Sequence, residues 1–273
     1  MPLFRPRGRS VLLPLLLLLV LLPTLSSSAA AAPPKKAAAT RQGTLRIRYL
    51  PVKNPELRPM AKVLKEERVF DIALPLAQAV RLPQDLPVSF EECGEENAFY
   101  NSETRSITMC YELFTQLGEM FANPDSTDEE VGEAILGAAF FIFLHEFGHG
   151  LVHLFDLPIT GKEEDAVDDF ATLVLINAGE DTAAASAISH FGTLAEQYES
   201  GASEDLAFWD EHSLNAQRVY SITCLLYGSD PEAYAELVGE DGLPEERAAR
   251  CPDEYQQKSR AWDKLLAPHL ASP

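Results

Sequence analysis

Residues 134–149 read A-I-L-G-A-A-F-F-I-F-L-H-E-F-G-H, an almost wholly apolar run that ends in the pattern H-E-x-x-H. Shortly before this run, two pairs of residues, Ser126 with Glu129 and Thr127 with Glu130, have the spacing of a capping box. Together these features predict one long helix over residues 128–155. A helix that is apolar on nearly every side is expected to be buried at the centre of a fold.

The end of this run carries the residues of a metal site. Residues four apart lie on one helix face, so His145 and His149 would present both imidazoles to a single Zn²⁺ ion. Glu146 would lie beside them, placed to take a proton from a metal-bound water. The alternative is a pair of solvated histidines, and the apolar surroundings argue against it because buried charged groups need partners.

A second helix is predicted to supply the third ligand. After the helix-breaking residues Pro158 and Gly161, residues 162–171 read K-E-E-D-A-V-D-D-F-A. Glu164 and Asp168 share one otherwise apolar face of this helix, and buried carboxylates require a cation. We expect Glu164 to bind the metal and Asp168 to orient a ligand histidine. The remaining acids are expected to face solvent: Asp165, Asp169, and Glu163, which fits a capping box with Thr160.

The composition limits the possible partners. The 273 residues include 22 Lys and Arg against 42 Asp and Glu, a formal net charge of −20. Nucleic-acid binding needs a basic surface, so DNA and RNA are not expected partners. A hydrophobic content of 46% is that of a folded protein.

The N-terminus has the organisation of a secretory signal peptide. Three arginines precede the apolar residues 11–25, and a run of Ser and Ala follows. We expect a signal peptide over residues 1–32, a flexible linker over 33–43 and a single domain over 44–273. The mature protein would be secreted or periplasmic, without a stable membrane span. An uncleaved membrane anchor is the alternative.

The chain has four cysteines, an even number in a chain predicted to be exported, so two disulfides are expected. Four thiols permit three pairings. We favour the pairing that closes the shorter loops, which joins Cys93 to Cys110 and Cys224 to Cys251.

The hydrophobic pattern predicts strands in the first third of the chain and helices afterwards. Alternation predicts a strand at 45–49, a short strand at 88–90, and a hairpin of 97–100 with 105–110. Helices are predicted at 59–80, interrupted at Pro75, and then at 128–155, 162–178, 182–199, 213–227, 231–238 and 254–266, with helical character from Glu112 onward. The fold class is therefore α+β: a small twisted sheet, with its edge strand near 105–110, packs on the central helix, and the second half is mostly helical.

These motifs resemble those of known families. H-E-x-x-H followed by E-x-x-x-D resembles the gluzincin metallopeptidases, and E-D-A-V-D-D-F-A resembles the E-x-x-x-D-x-x-A form of CAAX-prenyl endopeptidase relatives. Residues 212–218, H-S-L-N-A-Q-R, resemble the H-P-x-x-x-x-R block of those relatives, with Ser213 in place of Pro. The region from about Cys93 to Tyr255 resembles a bacterial family of exported zinc metallopeptidases.

The resemblance implies a zincin-like fold and a downstream side chain that stabilises the oxyanion. His212, Arg218 and Tyr220 are the candidates, and His212 has the alternative of capping the helix that follows it. His153 is a possible competing ligand. His190 and His269 belong to no motif and are expected to be structural or exposed.

The sequence thus predicts a secreted zinc metalloendopeptidase that hydrolyses peptide bonds with a metal-activated water. Glu146 would be the general base, His212 and Arg218 the further catalytic residues, and a peptide or protein the substrate. The alternative is a non-catalytic, zinc-stabilised binding protein. The presence of Glu146 disfavours this alternative, because a structural site has no need of a base.

Overall fold

The computed structural model describes residues 42–199, 206–240 and 242–271, which belong to one compact unit. The predicted signal peptide and residues 33–41 of the predicted linker lie outside the described residues. Gly43 is described, and its backbone N–H donates to the Leu82 carbonyl at 2.9 Å.

A four-stranded sheet forms one side of the fold. Its strands are β1 (Leu45–Tyr49), β2 (Leu86–Glu91), β3 (Ala98–Asn101) and β4 (Ser106–Cys110), in the spatial order β1-β2-β4-β3. β1, β2 and β4 are parallel, with Ile47 opposite Val88 and Val88 opposite Ile107. β3 runs antiparallel to β4.

The prediction that residues 105–110 form an edge strand is wrong. β4 lies inside the sheet, between β2 and β3, and β3 is the edge strand on that side. The burial pattern gives the reason: β4 is buried on both faces from Ile107 to Cys110, as an interior strand must be, whereas β3 is largely exposed along its length.

Helices make up most of the remaining described residues. They are α1 (Arg58–Glu66), α2 (Leu74–Ala79), α3 (Tyr111–Phe121), α4 (Asp128–Phe155), α5 (Glu163–Ala178), α6 (Asp181–Tyr198), α7 (Asn215–Ser229), α8 (Glu245–Ala248) and α9 (Cys251–Leu266). The α+β class is confirmed, and α4 has the predicted bounds, with Thr127 and Glu130 forming the capping box.

Two predicted helices differ from the structure. The interruption within 59–80 lies at a 3₁₀ turn, Val69–Ala73, while Pro75 stands in the first turn of α2, where its missing N–H costs nothing. Residues 231–238 contain only a 3₁₀ turn, Ala235–Leu237. There the Asp230 carboxylate accepts hydrogen bonds from two backbone N–H groups, a local alternative to helical bonding.

Helix α4 is the centre of the fold. Strands β3 and β4 and helices α3, α5 and α6 all pack against it. By length and composition α4 could also cross a membrane, but 78% of its most apolar window is buried inside the fold. α5 crosses it at Gly148, where an added Cβ would lie 2.9 Å from the Val167 Cβ. The missing side chain therefore lets α5 approach the H-E-x-x-H segment closely.

Two disulfides link neighbouring elements of the fold. Cys93–Cys110 ties the loop after β2 to the end of β4, and Cys224–Cys251 ties α7 to α9. These are the predicted pairs.

Candidate active site

Helices α4 and α5 bring three candidate ligand atoms together. His145 Nε2 lies 3.2 Å from His149 Nε2, and Glu164 Oε2 lies 3.0 Å from the first and 3.3 Å from the second. Zinc ligands in a tetrahedron, each about 2.0–2.1 Å from the metal, lie about 3.3 Å apart. The triangle of nitrogen and oxygen atoms therefore has the size of one face of a zinc coordination tetrahedron.

The buried oxygen of Glu164 supports the same conclusion. Within the described part of the chain, three imidazole nitrogens lie 3.0–3.3 Å from Oε2, yet no hydrogen bond to this atom has good geometry. Burial would raise the pKa of Glu164, but the three histidines outweigh it and hold that pKa well below its usual range. An ionised, buried oxygen without a well-aligned donor is suited to bind a cation, so these residues fit a metal ion.

A carboxylate orients each of the two candidate ligand histidines, His145 and His149, through the ring nitrogen Nδ1. His145 Nδ1 lies 2.7 Å from Asp168 Oδ1, and His149 Nδ1 lies 2.8 Å from Glu163 Oε1. An Nδ1–H that donates to a carboxylate leaves the Nε2 lone pair free for a metal. Burial opposes protonation of His145, but Asp168 and Glu164 raise its pKa to about 9, so protons and a metal would compete for this cluster.

The interpretation of Glu163 as a capping residue is wrong. Lys162 is the N-cap residue of α5 and makes no side-chain cap, and the Glu163 carboxylate turns towards His149 instead. Glu163 is exposed, as expected, with 46% of its side chain accessible, whereas Asp169 is not solvated. It pairs with Lys258 at 2.7 Å, and burial raises its pKa to about 6. Asp165 is exposed, as expected.

Arg218 lies behind Asp168. Its Nε and Nη2 groups donate to Oδ2 and Oδ1 of Asp168 at 2.7 and 2.8 Å, and its guanidinium stacks 3.8 Å above the Phe191 ring. Burial would raise the pKa of Asp168, but the charge of Arg218 outweighs it and keeps this carboxyl ionised. The guanidinium is thus bonded to the residue that orients His145, a different task from the oxyanion stabilisation suggested by the sequence.

His212 is the remaining oxyanion candidate at the cluster. Its Nε2 lies 3.0 Å from Glu164 Oε2, and Asp210 Oδ1 lies 3.3 Å from its Nδ1. Lys162 Nζ donates to the carbonyls of Asp210 and His212 at 3.0 and 3.1 Å, which fastens this loop to the start of α5.

Tyr220 and the histidines His153 and His269 lie outside the cluster of candidate metal ligands. Tyr220 is half-exposed and lines a separate cavity between α6 and α7. His153 belongs to the cleft but not to the cluster, because its Nδ1 meets the Tyr100 hydroxyl at 2.8 Å. His269 stacks on Phe155, with ring centroids 4.0 Å apart. Tyr100 is a cleft residue that the sequence did not single out, since only its place on β3 reveals it.

Glu146 lies in the same cleft, with 8% of its surface exposed. Burial raises the pKa of Glu146, against the lowering influence of His145, His149 and the Tyr100 backbone N–H. A carboxylate with a raised pKa beside a metal site is suited to accept a proton and give it up again.

The cleft itself has a volume of about 980 Å³. Residues 96–100 of the edge strand and its approach form one wall, and α3, α4, α5 and α6 contribute to the others. An H-E-x-x-H helix, a carboxylate on the next helix and an open cleft beside a sheet edge are typical of metal-dependent hydrolases.

Comparison with known families agrees with this class. The family described as "Putative metallopeptidase" matches residues 49–266, and the chain belongs to it. Neither a curated protein nor a solved structure matches the chain.

Proposed function

We propose that the chain is a secreted zinc metalloendopeptidase in which His145, His149 and Glu164 hold the metal and Glu146 is the general base. The observation that carries the proposal is the convergence of three ligand atoms, 3.0–3.3 Å apart, beside a buried carboxylate. Two imidazoles and one carboxylate are ligands typical of catalytic zinc, which keeps a further position open. Among the described residues, the candidate metal cluster around these histidines has three members, which disfavours a closed structural site.

Bound zinc would lower the pKa of a water molecule and polarise the substrate carbonyl. Glu146 accepts the proton of the attacking water and passes it to the amine that leaves. His212 donates from Nε2 to the developing oxyanion, and the Glu164 carboxylate 3.0 Å away, whose influence outweighs burial, raises the pKa of His212 and favours the protonated ring that this requires. Asp168 and Glu163 keep the ligand imidazoles oriented, and Arg218 keeps Asp168 in place.

The substrate is a peptide that extends the sheet at β3. An edge strand leaves one side of its backbone without a partner strand, and β3 lies along the cleft. A peptide added there would present a carbonyl to the metal site. The charge of −20 disfavours nucleic acids as substrates.

Export is proposed from the N-terminal sequence. The predicted signal peptide over 1–32 places the mature chain outside the cytoplasm, in the periplasm or the medium. Two disulfides suit such an oxidising compartment.

The test begins with metal content. The mature chain, residues 33–273, is purified and its metals are measured by mass spectrometry, and one zinc per chain is expected. His149→Ala should lose most of it, because only two ligands remain. Retention of full zinc by this variant would contradict the ligand assignment.

Catalysis is tested with Glu146→Gln, which preserves size while removing the base. Wild type should cleave a quenched-peptide library or denatured casein, lose activity with chelator and regain it with zinc, whereas the variant should be slower by roughly 10²–10⁴. Glu133→Gln is the matched control, because it makes the same change at an exposed position of the same helix. A zinc-loaded wild type that cleaves nothing would favour the binding-protein alternative.

A further inference from the structure

The end of the cleft bounded by α3, α4 and α6 has mostly apolar walls. On α3 and α6, residues three and four apart share a face, so each helix presents a short row of side chains to this space. The lining residues are Leu113, Gln116, Ile142, His190, Phe191 and Leu194. Ile142 stands one helical turn before His145, which places this space next to the metal site.

A series of contacts joins this end of the cleft to the ligands. The centroid of the Phe191 ring lies 5.0 Å from the centroid of the His190 ring and 3.8 Å from the central carbon, Cζ, of the Arg218 guanidinium. Arg218 bonds Asp168, which in turn bonds the ligand His145. A substrate side chain that occupies this end of the cleft therefore belongs to a substrate residue close to the scissile bond.

His190 is the buried polar group of this space, with 5% of its surface exposed. Its Nδ1 lies 3.3 Å from Met120 Sδ. A thioether sulfur accepts hydrogen bonds but cannot donate them, so Nδ1 carries the proton and Nε2 is left as a bare acceptor. Among the described residues, nothing donates to Nε2.

The surroundings of His190 disfavour positive charge. Burial, and then the charge of Arg218, lower the pKa of His190 to about 4. The same environment opposes entry of a lysine or arginine side chain. A fitting occupant is therefore neutral, largely apolar, and carries one hydrogen-bond donor at its far end.

We propose that this space is a specificity subsite for a tyrosine side chain of the substrate, whose phenolic O–H donates to His190 Nε2. The inference rests on the proposed function, because it takes the cleft to bind peptides. Phenylalanine fits the walls equally well but leaves Nε2 without a donor, so the subsite distinguishes tyrosine from phenylalanine through one hydrogen bond.

The test measures binding rather than turnover. The Glu146→Gln variant, as purified, is titrated with N-acetyl-tyrosinamide and N-acetyl-phenylalaninamide by ligand-observed NMR. The tyrosine compound should bind roughly two- to tenfold more tightly, the range expected for one net hydrogen bond. Adding His190→Leu should abolish this preference, whereas adding His269→Leu, the same change at a histidine that stacks on Phe155 and does not line the cleft, should preserve it.

Equal binding of the two compounds would overturn the proposal, and this comparison needs no substitution at His190. Should His190→Leu fail to fold, His190→Gln, which retains an acceptor, should keep the preference, and its loss there would also count against the subsite. If tyrosine is preferred but zinc-loaded wild type has no peptidase activity, the proposed function fails while the subsite stands.

Discussion

Removal of the Arg218 guanidinium tests how the metal site is held. In Arg218→Met, the Asp168 carboxylate loses two charge-assisted hydrogen bonds while it stays buried, with 5% of its surface exposed. Breaking a buried ion pair on one side costs roughly 3–5 kcal/mol, because the remaining charge is left uncompensated. The lost stacking on Phe191 adds roughly 0.5–1 kcal/mol. The free energy of unfolding, measured by urea titration with chelator present, should fall by at least the first amount.

The same variant should bind zinc about 10- to 100-fold more weakly, because Asp168 no longer orients His145 firmly. Competition with a chromophoric chelator measures this affinity. Arg218→Met combined with Asp168→Asn should recover part of the lost stability, since the unpaired charge is gone. A variant with unchanged zinc affinity and a reduced kcat would refute this role and make Arg218 an oxyanion donor. His212→Gln is the contrast, with zinc retained and kcat lowered.

Three further predictions concern residues outside the ligand set. Lys162→Met should lower kcat roughly 10- to 100-fold without loss of zinc, because the loop that carries His212 loses its hydrogen bonds to Lys162. Lys162→Arg should restore part of the lost kcat. If Lys162→Met has the same kcat as wild type, Lys162 does not have this role. Replacing Cys224 and Cys251 by Ala should lower the unfolding free energy by about 3.5 kcal/mol, from a loop of 27 residues, and an unchanged denaturation midpoint would speak against this. Because the pKa of His190 is about 4 when folded and about 6.5 when unfolded, stability should be full above pH 6.5 and fall by about 3 kcal/mol towards pH 4. In urea titrations of metal-free protein, the unfolding free energy of His190→Gln should depend less on pH than that of wild type. If the two proteins lose the same stability between pH 6.5 and pH 4, His190 makes no such contribution.

The parts of the fold that depend on local signals could be predicted from the sequence. Helix α4 begins at a capping box and continues through an apolar run, and both features lie within the residues that form it. The two metal-site histidines follow from the same helix, because spacing of four residues fixes their common face. The local cysteine pairs also close short loops, so proximity along the chain favoured them.

Other features depend on tertiary contacts that the spacing does not reveal. Glu163 could serve as a cap or as a partner of His149, and only the turn between α4 and α5 decides between them. The hairpin of β3 and β4 has two possible orientations in a sheet, and the parallel pairing of β4 with β2 selects one. Arg218 and Asp168 are 50 residues apart, so their bond could not be read from either segment alone.

The H-E-x-x-H segment shows why the fold and the site are inseparable in this chain. His145, Glu146 and His149 face the cleft, whereas Phe147 stacks on Phe143 in the core, with ring centroids 6.1 Å apart. Gly148 lies under α5 and leaves it room to bring Glu164 to the histidines. Phe147 and Gly148, two of the three residues between the histidines, therefore set the position of the third ligand, and a larger residue at Gly148 would disturb the metal site without touching a ligand.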